Sequence, residues 1–414
     1  MLMPLGLAVC LSLFGDLTLY AVLATQLDVV GLSLSAVGLM LGVNRLIRIP
    51  GNPLAGLVLD RWGRRRPFIL GMLLGVLSTA SYALVRGFWP FLIARLAWGI
   101  AWTLINVGGM AIILDLSTTA NRGRLSGLYN TWMLIGLALA PVVGGFLVDL
   151  FGFRPAMLAC AAITAVGLLV ALLALPETAQ PPSHPVTQSP SHPITQSPTP
   201  KPPAWQHFST LLRTNPGLLT ASSLYLITQF AGEGVVLSTM SLLLQQRFGD
   251  SVLLNGLALG LASASGILLA LRSLLAGLVG PLAGHLSDGR AGRRLVILGS
   301  LLAGIAGFGL LSFATSLSTI VLGVALGAAS AGAALATLTA CVGDVTPPGR
   351  QGLVMGAYAT AGDIGSTAGP FLAFALLSVV HLQSVYILCT LAFLVGLWLI
   401  WRTQGTQALG EAPP

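Results

Sequence analysis

The stretch Gly56-Leu57-Val58-Leu59-Asp60-Arg61-Trp62-Gly63-Arg64-Arg65-Arg66-Pro67 decides the fold. It places four of the twenty Lys+Arg residues within six positions, in a sequence of which only 8% is charged. Long apolar runs flank it on both sides. A dense cationic turn between two hydrophobic runs marks the cytoplasmic side of a membrane. The chain then repeats the pattern. Pro281-Leu282-Ala283-Gly284 echoes Pro53-Leu54-Ala55-Gly56, and Asp288, Arg290, Arg293 and Arg294 follow. Asp288 stands 228 positions after Asp60, about half of the 414 residues. Ile69-Leu70-Gly71 recurs as Ile297-Leu298-Gly299, and Asp115 recurs as Asp344. A duplication on this scale implies two halves built alike.

Composition agrees with a membrane protein. Hydrophobic residues make up 55% of the chain, and the mean hydropathy is +0.89. Soluble domains carry about 25% charged residues. The net charge of +8 does not indicate nucleic acid, because it is spread over short loops rather than gathered into one surface stripe. Cys10, Cys160, Cys341 and Cys389 each stand alone in apolar runs, so they suggest neither disulfides nor a metal site. Asp16 interrupts the first apolar run and no basic segment precedes it, unlike a cleaved signal peptide.

A helix needs about 20 apolar residues to cross a bilayer. Twelve such runs are expected, near 5–26, 35–58, 67–86, 90–114, 124–148, 154–175, 217–244, 254–284, 294–315, 317–342, 352–379 and 382–401. Their continuity argues against strands. The fold class expected is therefore an all-α integral membrane protein of two pseudo-symmetric six-helix bundles. With the N-terminus inside, thirteen of the basic residues fall on the cytoplasmic side and three outside, so both termini are expected in the cytoplasm. Residues 1–178 form the first bundle and 204–414 the second. Between them, 179–203 contains the repeated octapeptide Ser183–Pro190 and Ser191–Pro198, a Pro/Ser/Thr composition expected to be a disordered linker. Residues 204–214 carry apolar residues near helical spacing, which predicts a short helix on the membrane surface.

Spans five and eleven share a pattern. Gly127, Gly136, Ala140-Pro141 and Gly144-Gly145 match Gly356, Gly365, Gly369-Pro370 and Ala373. Small residues four apart lie on one helix face and permit close helix approach. Proline removes a backbone hydrogen bond and bends the helix.

Together these features resemble the major facilitator superfamily of secondary transporters over essentially the whole chain. Gly56-x-x-x-Asp60-Arg61-x-Gly63-Arg64-Arg65-Arg66 is similar to its signature between helices two and three, and Arg95-x-x-x-Gly99 to its helix-four signature. Gly127–Gly145 resembles the helix-five signature of its drug/proton antiporters, with Ala140 where that pattern has Gly. Pro176-Glu177-Thr178 resembles its usual end to helix six. The resemblance implies alternating access by rocking bundles, with a cytoplasmic latch at Gly56, Asp60, Arg61, Gly63, Arg64, Arg65 and Asp115, echoed by Gly284, Asp288 and Arg293. Asp60 follows a helix C-terminus, where negative charge is unfavourable. Its partner is expected among Arg61, Arg64 and Arg65 or at the start of span eleven.

Seven charges lie inside spans: Asp16, Glu233 and Asp363, with Arg45, Arg48, Arg95 and Arg272. A buried charge in a membrane needs a partner or a cavity. Similar depths suggest Asp16 with Arg45 and Glu233 with Arg272. Asp363 lacks an evident neighbour and is the better proton carrier by this logic, with Glu233 second. Candidate cavity residues are Tyr20, Trp102, Asn106, Asn130, Trp132, Gln229 and Tyr358.

The sole lysine, Lys201, sits between prolines, so the chain carries no phosphate-binding loop. No motif of a membrane enzyme or of a cofactor or metal site is present. The expected function is a proton-coupled exporter of small molecules, a monomer in the inner membrane whose partners are substrate, protons and lipid. An uptake symporter or uniporter, for instance for an anion held by Arg45 and Arg48, is the alternative. A non-transporting sensor is a third.

Overall fold

The computed structural model describes residues 1–118, 121–178, 216–254, 257–289, 292–346 and 351–403. The linker 179–203 and the surface helix 204–214 expected from sequence lie outside the described residues.

The first half contains α1 (Leu2–Val22), α2 (Leu27–Val30), α3 (Leu34–Leu46), α4 (Arg48–Trp62), α5 (Arg65–Leu84), α6 (Phe88–Leu116), α7 (Arg122–Phe151) and α8 (Phe153–Ala174). The second contains α9 (Pro216–Gln229), a π-helical stretch Phe230–Val236, α10 (Leu237–Phe248), α11 (Leu261–Asp288), α12 (Gly292–Phe313), α13 (Leu317–Asp344), α14 (Gln351–Leu376) and α15 (Leu382–Thr403). Among the described residues, ten helices are each long and apolar enough to cross a membrane. The broken pair α3–α4 and the Gly/Ala-rich α14 complete twelve. Leucines such as Leu54, Leu84, Leu150, Leu173 and Leu278 remain exposed, as helices facing lipid require.

Three elements depart from the expected spans. Span two is two helices meeting at Ile47. Pro50 has no N–H to offer Leu46 and its ring opposes that carbonyl, but it is tolerated in the first turn of a new helix. Span seven contains the π stretch, which holds Gly232-Glu233-Gly234. A π segment inserts extra backbone into a helix and is frequent at functional sites. Span eight begins at Leu261, later than expected, because β1 (Ser251–Leu254) and β2 (Leu257–Gly260) form an antiparallel hairpin ahead of it. Asn255-Gly256 between them is a strong hairpin signal that the apolar run obscured. The expectation of no strands therefore fails at this short ribbon.

The proline-containing helices α7 and α14 run unbroken through Pro141 and Pro370. Their small residues are packing surfaces. Gly136 meets the Cys10 backbone and Gly144 meets Thr18, both on α1. Gly145 and Pro141 meet Ala262 and Gly266 of α11, joining the two bundles. Gly365 packs on Leu226 and Gly369 on Gly234, within the second bundle. The Pro370 carbonyl lies under Gly38 of α3, where a β-carbon would stand 2.5 Å from its oxygen.

These inter-bundle contacts cluster on the face opposite the arginine loops. On the arginine-loop face, β-carbons at Gly56, Gly127, Gly284 and Gly356 would meet nothing within 4 Å. The close contacts between bundles opposite the arginine loops, together with a cavity that runs past Gly280, Pro281 and Ala336 toward those loops, make the described residues closed at one face and parted at the other.

Candidate functional site

The buried charges sort into three groups around the middle of the helices. The first is entirely within the first bundle. Arg95 on α6 has no solvent exposure and pairs with Asp16 of α1 at 2.6 Å. Its Nε donates to the Met40 carbonyl at 2.7 Å and its Nη1 to the Tyr82 hydroxyl at 3.3 Å. Asn44 donates to Asp16 at 3.4 Å. The expected Asp16–Arg45 pair is therefore not formed. Tyr20 explains why: its hydroxyl donates to the Leu41 carbonyl at 2.6 Å, and its ring carries the Arg45 guanidinium at 5.4 Å and that of Arg95 at 5.5 Å. Arg45 Nε donates to the Tyr20 hydroxyl at 3.2 Å, and its far end points across to the second bundle.

The second group spans the two bundles. Glu233, in the π stretch, accepts from Arg45 at 3.1 Å on one oxygen and from Arg272 of α11 at 2.8 Å on the other. The third also crosses: Arg48 at the head of α4 faces Asp363 of α14 at 3.8 Å. Arg48 Nε is buried without a hydrogen-bond partner among the described residues. Asp363 thus has a partner that sequence reasoning missed, because Arg48 is remote in the chain and the break at Ile47 re-aims it.

A cavity of about 530 Å³ opens below Glu233. Leu17, Leu134, Leu137, Leu237 and Leu269 give it an apolar wall, and Gln229, Glu233, Arg272 and Ser273 its polar groups. It runs toward the arginine-loop face past Gly280, Pro281 and Ala336. Of the seven candidate cavity residues, only Gln229 lines it. Tyr20 is buried in the charge network, and Tyr358 is buried, stacked on Tyr225 at 4.3 Å. Trp132 fills the space above Gly6, and Trp102 stacks on Trp98 at 6.3 Å. Asn130 is exposed and Asn106 half-buried, outside this cavity. Long aromatic residues in a membrane helix signal packing as readily as binding, so composition could not separate the two.

At the arginine-loop face, Arg64 ties together the carboxylates of Asp60 at 2.8 Å and Asp115 at 3.2 Å. The Asp60 hydrogen bond, with Asp115 beside it, raises the pKa of Arg64 above its ordinary value against the opposing effect of burial. Thr178 donates to Asp115 at 3.1 Å. Glu177 accepts from the backbone N–H of Arg64 at 2.7 Å and of Arg65 at 3.2 Å, capping α5. Gly63, just before Arg64, has φ of +82°, and any side chain there would strike the Glu177 carboxylate. Arg65 donates to the Leu172 carbonyl at 2.7 Å, while Arg61 is exposed. The second bundle repeats the motif: Arg293 bonds to Asp344 and lies 3.8 Å from Asp288. No described residue of α14 bonds to Asp60, so in this state the network closes within the first bundle.

Sequence reasoning missed one clasp on the closed face. Asp149 at the end of α7 accepts from the backbone N–H of Ser263 at 2.7 Å and of Ala262 at 3.2 Å, at the N-terminus of α11. Unpaired amides at a helix start favour a carboxylate. An acidic residue after span five was visible in the sequence, but not the helix start that it meets.

Comparisons with known proteins agree with this architecture. The profile described as Major Facilitator Superfamily matches residues 5–272 and 262–412. Multidrug resistance protein 1 of Bacillus subtilis is 27% identical over 164 residues, 40% of this chain and 41% of that relative. The mouse major facilitator superfamily domain-containing protein 10 is 25% identical over 379 residues, 89% of this chain and 78% of that relative. Among solved structures, a bacterial homolog of the human lysosomal transporter Spinster, inward-facing and occupied, superposes with a TM-score of 0.74. At 16% identity, over 100% of this chain and 98% of that one, this likeness shows the fold alone.

Proposed function

From the major facilitator superfamily, to which this chain belongs, we propose a proton-coupled exporter of small amphipathic molecules, working by alternating access. It is a multi-pass membrane transporter and not an enzyme. The proposal places it in the inner (cytoplasmic) membrane with both termini and the arginine loops in the cytoplasm, so that the parted face loads substrate from inside. The drug-resistance relative in Bacillus subtilis supports this direction.

The observation that carries the proposal is the pair of ionic contacts joining the bundles at mid-membrane, Arg45–Glu233 and Arg48–Asp363. A rocking transporter must break such contacts and remake them. A proton on a carboxylate removes its charge and weakens the pair. Glu233 is held by two arginines and Asp363 by one at the longer distance. Asp363 is therefore the proton-carrying group of the proposal, and Glu233 binds the bundles around the substrate. The cavity below Glu233 is the substrate site, because it adjoins this coupling charge and reaches the parted face.

The test is transport in proteoliposomes. Asp363→Asn is expected to abolish uptake driven by an imposed proton gradient while preserving substrate exchange at equal concentrations. Accumulation at the wild-type rate by Asp363→Asn refutes the proton-carrying role. Exchange without any gradient-driven component in the wild type refutes proton coupling itself.

A further inference from the structure

The three charge groups are not balanced alike. Asp16–Arg95 and Arg48–Asp363 are matched one to one. Glu233 alone faces two arginines, so the group at the head of the cavity carries one uncompensated positive charge. That charge has spare hydrogen-bonding capacity. The Arg272 side chain is 7% exposed and lines the cavity. It donates Nη2 to Glu233, but its Nε and Nη1 donate to nothing among the described residues. A guanidinium has five N–H donors in a planar fork that suits an anionic oxygen pair. Neither Nε nor Nη1 is among the buried groups left without a partner, so both open onto the cavity, where a ligand can reach them. Gln229, half-buried in the same wall, also makes no described side-chain hydrogen bond.

We infer that the occupant of this cavity is an amphipathic organic anion, its charged group on the free N–H donors of Arg272 and its apolar body against the leucine wall. This rests on the proposal that the cavity is the substrate site. Glu233 stays in place between Arg45 and Arg272 and sets the field to a single excess positive charge. A cationic drug would have to enter against that field, with Glu233 already engaged on both oxygens. A carboxylate and a sulfonate both meet the requirement.

The test uses the full chain in lipid nanodiscs and three probes with one body: indole-3-propionate, tryptamine and tryptophol. They carry an anion, a cation and a neutral hydroxyl. Binding is read by calorimetry, with empty nanodiscs as the partition control. Indole-3-propionate is expected to bind at least about ten-fold tighter than tryptamine, as a charge-assisted contact allows. Arg272→Gln is expected to erase that preference, and Arg272→Lys to retain it. Equal or inverted preference overturns the inference, as does failure of the anion to bind. Leu335→Trp, which fills the cavity, separates this from failure of the site. Ala336→Phe replaces it if the first variant does not fold. Loss of all binding in the filled variant with no anion preference leaves the site standing and sinks only the substrate class. Binding that survives filling overturns the site and the inference together.

Discussion

Asp149→Ala should release the closed face. Its carboxylate makes two charge-assisted hydrogen bonds to backbone N–H groups of the other bundle, at 2.7 and 3.2 Å. Such bonds contribute about 1.5–3 kcal/mol each when well buried. Asp149 is exposed, so water replaces much of what is lost. A net loss of about 1–2 kcal/mol is the reasonable figure, including the interaction with the helix start. That corresponds to a roughly five- to thirty-fold shift of the equilibrium toward a state open at this face. The assay is pulsed electron paramagnetic resonance with spin labels at Phe151→Cys and Leu253→Cys, exposed positions flanking the clasp. Labelling is selective because the four native cysteines are buried. The long-distance population should grow by the stated factor in Asp149→Ala and by less in Asp149→Asn, which keeps an acceptor oxygen. An unchanged distance distribution in Asp149→Ala, with the protein folded, refutes the clasp. It would mean that the packing of Gly145 and Pro141 on α11 and of Gly38 on Pro370 holds the face shut without it.

Two further outcomes are expected. Arg95→Ala leaves Asp16 buried without its cation and should cost about 3–5 kcal/mol of stability, read as a large drop in thermal midpoint; a midpoint unchanged from wild type would refute the account of this pair. Asp60→Asn removes an exposed contact one turn from Arg64 and should alter stability by less than about 1 kcal/mol. It should nonetheless block turnover while leaving substrate binding intact, if Asp60 exchanges Arg64 for the start of α14 in the opposite state. Normal transport at normal expression would exclude that exchange.

The basic turn at Gly56–Pro67 and its echo half a chain later specified much in advance. Hydrophobic length, cationic turns and duplication are local or periodic properties, and a bilayer converts them directly into helix number and two similar halves. Gly63 was legible as part of that turn, but not the Glu177 carboxylate for which it makes room, which comes from the far end of the first bundle. Charge pairing was not legible to the same degree. Arg45 and Asp16 have matching depths, yet Tyr20 separates their roles and Arg95 takes the carboxylate. Arg48 stands where α3 and α4 part and faces Asp363 of the other bundle, a meeting that counting residues does not show. Depth along a helix follows from counting residues, whereas the direction a side chain faces depends on helix rotation, breaks and packing. The sequence by itself determined the twelve spans, the duplicated architecture and the set of buried charges. The tertiary structure decided which charges meet across the bundles, where the cavity lies and which face is closed. Those are long-range contacts between helices, and no local pattern encodes them.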